Sequence, residues 1–337
     1  LTISGKVLVI KSDLLPTLLH VAYVFPMPAL VCLKLQKALF HFIWGGYEYI
    51  KRATMYQPIE RGGRDMPNLG LKFKVLFFSN ICQIMLHPPE HKCQPLINFW
   101  LAIHLRPLVV KWDNGFPKAE VIPDYYKKIV NWAKKYKECW NRDLAVNHKK
   151  LYTMLIAKSD PKDGLAVPSD VWRGTQCKSL ENRFRDFNWL VLHRKLAVRN
   201  TLFNHNLTLN KICPRDGCNG VETVEHVLFE CPFAKQLWKK LGQRFGFLKD
   251  VTWAKVLHMD FKLQGGKNVC KALELASVVK AKLWEVRCSI INGTEKWSIE
   301  NTTQSIEETM RRKLKLEANK WGINSIKDRW KIIFENL

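Results

Sequence analysis

Four residues, Cys213, Cys218, His226 and Cys231, constrain this chain of 337 residues more than any other feature. They follow the pattern C-x4-C-x7-H-x4-C. Three of ten cysteines gathered in one short span, with a histidine at closing distance, point to a metal site. Zinc takes four soft or borderline ligands at the corners of a tetrahedron, about 2.0–2.3 Å from the metal. Here the protein fills every corner, so the expected Zn2+ is structural and leaves no position for a substrate. Such a site contributes on the order of 10 kcal/mol to ordering its own segment. His205, eight residues before Cys213, is the one rival ligand and reads better as a solvent-facing residue.

The spacing also carries local expectations. Gly217 tolerates a positive φ, which lets the first cysteine pair sit on a tight knuckle. Glu222 to Phe229 suits a short helix carrying His226. Residues five apart on an α-helix point about 140° from one another. The helix must therefore end or tighten before Cys231, and Pro232 gives it a reason to stop.

Charge supplies the second constraint. Lys and Arg number 54 against 30 Asp and Glu, a formal +24. An excess of this size self-repels unless an anionic partner offsets it, and phosphates are the commonest such partner. The plainer alternative is a set of dispersed, solvated lysines. With 47% hydrophobic residues, 13 Trp and 17 Phe, the chain is globular and able to build a core, which excludes a disordered polycation. Outside the cluster, Cys32, Cys82, Cys93, Cys139, Cys177, Cys270 and Cys288 are dispersed, unlike a secreted disulfide framework. A reducing compartment, nuclear or cytoplasmic, fits best, and the sequons at Asn206, Asn292 and Asn301 are then chance matches. No signal peptide is visible and the chain opens on Leu1, so a fragment of a longer product is expected. The apolar stretch Leu14–Leu33 is interrupted by Pro16, Pro26 and Pro28, which makes a poor spanning helix, and no membrane partner is expected.

Helical periodicity runs through the chain. Ala29 to Trp44 forms a helix with Leu35, Leu39, Phe42 and Ile43 on one face and Lys34, Lys37 and His41 on another, stopped by Gly45-Gly46. Val7–Ile10 belongs to a helical or mixed segment ending near Pro16. Gln57 to Glu60 suits a short strand before a turn at Gly62-Gly63, and Leu69 to Leu86 is a strongly apolar helix ended by Pro88-Pro89. Tyr125 to Glu138 sets Ile129, Trp132, Ala133 and Tyr136 against Lys127, Lys128, Lys134, Lys135 and Lys137, a stripe that is more often solvated than binding. Residues 159–164 suit a linker. Phe184 to Phe203 and Phe233 to Phe245 read as helices, the second burying Leu237, Trp238 and Leu241. Three more helices follow residue 270, two of them divided at Asn292-Gly293. The last pair includes a helix over 303–320 with a capping box from Ser305 to Glu308.

These motifs together carry a family resemblance. Glu222-Thr223-x-x-His226-x4-Cys231-Pro232, followed by Leu237-Trp238, resembles the zinc-binding C-terminal region of LINE-type (non-LTR) retrotransposon reverse transcriptases. Leu1 to Lys11 with Leu14-Leu15-Pro16 looks like the start of the thumb in those polymerases. Phe42-Ile43-Trp44-Gly45-Gly46, then Gly62-Gly63 with Asn68-Leu69, resemble the continuation of that thumb. The resemblance implies a mainly α fold: a helical thumb-like unit over 1–90, a helical connector and linker over 91–170, a helical unit with a small CCHC zinc knuckle over 171–250, and C-terminal helices over 251–337.

The resemblance further implies a fragment that supports target-primed reverse transcription by binding RNA or DNA. Polymerase chemistry needs paired carboxylates holding two metal ions. This chain contains no Asp-Asp pair, and Met259-Asp260-Phe261 offers only an isolated acid. No enzymatic activity and no small-molecule substrate are therefore expected, with polymerase and endonuclease regions lying upstream, outside this chain. The candidate nucleic-acid contacts are Lys34, Lys37, Arg194, Lys195, Arg199, Lys211 and Arg215. Two alternatives stand beside this reading: a zinc-stapled protein-interaction scaffold, and a non-functional retrotransposon remnant.

Overall fold

The computed structural model describes residues 1–86, 92–105, 108, 121–159, 167–260, 269–293 and 297–334. The linker expected after Ser159 and the helix end at Pro88-Pro89 lie outside them. Among the described residues the fold is mainly α, as expected, and has no strand; a single antiparallel bridge joins Ile212 and Val221. The chain divides into two compact units, Ile3–Gly164 and Leu165–Leu337.

The first unit begins with α1 (Ile3–Val9), which runs through a π-turn at Ile10–Leu14 into α2 (Leu15–Val24). Pro16 therefore does not end the helix. It sits in the first turn of α2, where its missing N–H is tolerated, and the widened turn before it bonds Leu15 N–H to Ile10 O. Pro26 and Pro28 do interrupt the apolar stretch, and α3 (Ala29–Trp44) starts after them and ends at Gly45, φ 72°. The buried stripe of α3 is Cys32, Gln36, Phe40 and Ile43; Phe42, assigned to that face by periodicity, is exposed, and Leu35 and Leu39 are half-buried. Gln57–Glu60 forms no strand. A short α4 (Arg52–Tyr56) leads to a 3-10 turn at Ile59–Arg61, because Pro58 O takes the local N–H bonds of Arg61 and Gly63, both at 3.0 Å.

Helix α5 (Leu69–Leu86) is the axis of this unit. Leu69, Phe73 and Leu76 pack with Leu15, Ala22 and Cys32. Phe77, Phe78 and Ile81 share a larger core with Leu101, Ile129, Trp132 and Leu151. That core is supplied by α6 (Gln94–Leu101), α7 (Asp124–Lys135) and α9 (His148–Lys158), with a short α8 (Arg142–Ala145) between the last two. The described residues of α6, α7, α8 and α9 thus share one core with α5. The run Ile3–Val24 and helix α5 are each long and apolar enough to cross a membrane, although α5 is mostly buried inside the unit.

The second unit opens with α10 (Ser169–Gly174) and α11 (Asn182–Leu192). The single helix expected over Phe184–Phe203 is two: the chain leaves α11 with Arg194 at φ 54° and resumes as α12 (Arg199–Asn204). The break turns Leu196 and Val198 into the core, a burial that a continuous helix forgoes. Beyond the metal segment come α13 (Pro232–Arg244), α14 (Trp253–His258), α15 (Val269–Asn292), α16 (Ile299–Trp321) and α17 (Ile323–Phe334). Ser298 caps α16 by accepting the Asn301 N–H at 3.0 Å; the box expected at Ser305–Glu308 lies inside the helix, since the amphipathic pattern already starts at buried Thr302.

Helix α15 is buried along most of its length, and its polar residues are therefore paired within the protein. Lys271 and Lys313 both bond Glu274, at 2.8 and 3.0 Å, and Lys271 also pairs with Glu317, which accepts the Trp330 indole N–H. Lys280 differs: its Nζ is fully buried and donates to Val256 O at 3.1 Å, with no carboxylate beside it among the described residues. Burial disfavours the ammonium form and lowers its pKa from 10.5 to about 7. Between those values unfolding takes up a proton, so stability rises with pH across the window and the penalty is complete below it. Lys280→Met is expected to stabilise the chain by on the order of 1–3 kcal/mol near pH 6, with the gain shrinking as pH approaches about 10. Melting curves at several pH values check this; an equal gain at acid and alkaline pH contradicts it.

Candidate metal centre

The metal segment starts from a minimal hairpin. Cys213 N–H donates to Gly220 O at 2.9 Å and Glu222 N–H to Lys211 O at 2.8 Å, on either side of the Ile212–Val221 bridge. Between them Cys218 N–H turns back to Arg215 O at 3.1 Å, and Gly217 takes the expected positive φ of 70°. This knuckle presents Cys213 and Cys218, both buried, to one side.

The second pair is carried by a π-turn over His226–Glu230. Thr223 holds its start, its hydroxyl accepting the His226 N–H at 3.0 Å. Cys231 N–H then donates to His226 O, five residues back, at 2.8 Å. The helix therefore widens, where the sequence suggests that it ends or tightens. A wider turn brings side chains five apart back towards one face, which resolves the 140° mismatch of an ordinary α-helix. Pro232 occupies the first turn of α13, so one proline both limits the π-turn and starts the next helix.

The four ligand atoms lie within 4.8 Å of one another, and all four residues are buried. Cys218 Sγ is 3.2 Å from His226 Nε2, and Cys231 Sγ is 3.9 Å from Cys218 Sγ. A tetrahedron with metal–ligand bonds of about 2.0–2.3 Å has edges of about 3.3–3.8 Å. The donor set and spacing thus fit a structural zinc. The hydrogen bond between Cys213 and Cys231 lowers the pKa of the Cys231 thiol and raises that of Cys213. His205 is exposed and stands outside the cluster.

The basic candidates separate sharply. Arg215, expected at a nucleic-acid surface, is buried. Its guanidinium donates to Val227 O at 3.1 Å and Leu283 O at 2.8 Å, and it lies over the Phe233 ring. It ties the knuckle to the π-turn and to α15, which rules out the surface role. Arg199 is half-buried and donates to Ile212 O at 3.0 Å, bracing the hairpin. Arg194, Lys195 and Lys211 are exposed in this unit, and Lys34 and Lys37 are exposed on α3 of the other.

Two further residues hold the centre without being evident as supports in the sequence. Glu222 is completely buried and receives two bonds from Arg287, at 2.8 and 2.7 Å, besides the backbone N–H of Arg199. Arg287 also donates to Ala197 O at 3.1 Å. This is a desolvated bidentate pair, in which loss of either partner costs about 3–5 kcal/mol. Glu222 is visible as part of the motif around His226. Arg287, 65 residues away on α15, carries no local signal.

Residues 147–238 match the family described as zinc-binding in reverse transcriptase, a span that includes all four ligands and ends within α13. This supports a region related to reverse transcriptases. No protein of curated function matches the chain.

Gly220 provides a test of the geometry. A Cβ at this position meets His226 Cε1 at 2.4 Å. The imidazole can swing away only by leaving the metal position. Gly220→Ala is therefore expected to weaken zinc affinity by about 10-fold or more, the range seen when support of a ligand is lost, while the zinc-free chain melts almost unchanged. Chelator competition measures the first and calorimetry the second; wild-type affinity in the variant contradicts the assigned His226 position.

Proposed function

We propose that the chain is the C-terminal part of a LINE-type reverse transcriptase, binding RNA or DNA in support of target-primed reverse transcription without catalysing it. The observation that carries this reading is the match of residues 147–238 to the reverse-transcriptase zinc-binding family on a chain of net charge +24. A rigid, metal-held module on a strongly basic framework suits a phosphate backbone, where cations release condensed counterions. The thumb-like region over 1–90 would grip a primer–template, with Lys34 and Lys37 on the exposed side of α3. Arg194, Lys195 and Lys211 remain contact candidates in the zinc-bearing unit. Polymerase chemistry is assigned to regions outside this chain, since it contains no Asp-Asp pair. A nuclear or cytoplasmic site of action accords with the free cysteines, since Cys213, Cys218 and Cys231 can hold zinc only while reduced.

A protein-interaction scaffold is the second reading, favoured by exposed Leu8, Phe25, Leu30 and Leu33 on the first three helices and the turn between them. The two differ in salt dependence. Neutralising about five phosphates of a single strand predicts an affinity loss of about 100-fold between 50 and 200 mM salt. Fluorescence anisotropy with labelled oligonucleotides measures this, and affinity independent of salt contradicts the nucleic-acid reading.

A further inference from the structure

Beside the metal centre, α13 and the segment after it enclose an open groove of about 830 Å³. Its floor includes Phe229, which lies on the π-turn between two zinc ligands, with Trp238 and Leu248. Lys235, Lys239 and Lys249 stand on its rim, all exposed. The distribution of charge on α13 is selective. Lys240 and Arg244 pair with Glu300 and Glu307 of α16. Lys235 and Lys239, one helical turn apart, have no carboxylate at ion-pair distance among the described residues, and neither does Lys249. The helix thus pairs the cations that reach α16 and leaves the groove-facing ones available.

The groove continues across an aromatic pair. The Phe229 and Trp253 rings are 6.5 Å apart, and Trp253 lines a second cleft of about 270 Å³ with exposed Arg194 and half-buried Asn200. The two neighbouring clefts thus combine three lysines, the Phe229 and Trp253 rings and an arginine. Flat rings beside unpaired cations recognise a flexible polyanion that carries flat groups of its own. A duplex keeps its bases stacked on each other, whereas a single strand can lay them on the rings while its phosphates meet the lysines. Each cleft also holds one carboxylate, Asp250 and Glu225, which repels phosphate but accepts hydrogen bonds from base amino groups.

We infer that this groove, Lys235, Lys239 and Lys249 around Phe229 and onward to Trp253, is a binding site for single-stranded nucleic acid. The inference rests on the nucleic-acid reading proposed above and places its contact surface. Because Phe229 is positioned by the turn that bears His226 and leads to Cys231, the site depends on the metal for its shape.

The test uses the full zinc-loaded chain and two labelled probes of about 15 nucleotides, oligo-U RNA and oligo-dT DNA. One variant carries Lys235→Glu, Lys239→Glu and Lys249→Glu. A control reverses the same charge on the exposed face of α7, with Lys127→Glu, Lys128→Glu and Lys134→Glu. Zinc content and circular dichroism verify folding, and a Lys→Gln series at the groove replaces the reversals if folding is disturbed. The groove variant is expected to bind at least one probe about 30-fold or more weakly, with a salt slope reduced by about 2, corresponding to three phosphates on a single strand. The control is expected to lose less than about 5-fold. Preference between the probes identifies which strand the groove takes. Equal losses in the two variants, or wild-type binding by the groove variant, overturn the groove while leaving nucleic-acid binding in place. If the unaltered chain binds neither probe at low salt, the broader reading fails and the groove with it.

Discussion

Convergence of three thiolates and one imidazole on a single point gives the segment from Lys211 to Pro232 its shape. Apart from that convergence, the segment's own backbone has one β-bridge, a knuckle turn and a π-turn, few local hydrogen bonds to set against its chain entropy beside the ties of Arg215 and Glu222 to the rest of the unit. Chelation supplies the missing free energy locally, on the scale of 10 kcal/mol for structural zinc in small peptides. It also accounts for the widened turn at His226–Glu230, a geometry with poorer intrinsic stability that brings the last two ligands together.

The centre is not an isolated knuckle. Arg215 reaches from between the first two ligands to Leu283 O, and Arg287 holds Glu222 immediately after the hairpin. Both anchor points are on α15, the long buried helix of the second unit. Metal, hairpin and helix core therefore form one mechanical body, within which Phe229 and α13 are placed. Arginine suits both positions because its planar fork meets two acceptors at once, which a lysine does not. A basic residue near a metal site in a basic protein invites assignment to a phosphate; burial and two carbonyl partners give Arg215 a structural role instead.

Much of this is legible in the chain alone, and the divisions have physical causes. The ligand set is readable because zinc chemistry restricts residue type and spacing together. Helix α3 and the start of α5 are readable to the residue because long apolar periodicity is bounded there by strong end signals, such as Gly45 at φ 72°. Expectation and structure part where a local rule meets a tertiary demand. Pro16 carries the local signal of a stop but is absorbed after a π-turn, and the break at Arg194 is set by burial of Leu196 and Val198. Periodicity places Phe42 on the buried face of α3, although Phe40 fills it. The Glu222–Arg287 pair joins residues 65 apart, so no window of sequence could contain it.

The most direct test of this account is hydrogen exchange on the full chain with zinc bound and after its removal by a chelator. Loss of protection is predicted across residues 211–231 and around Leu283–Arg287, while the core formed by α5 with α7 and α9 in the other unit stays protected. Unchanged protection over 211–231 without zinc would contradict the claim that the metal determines the shape of this segment.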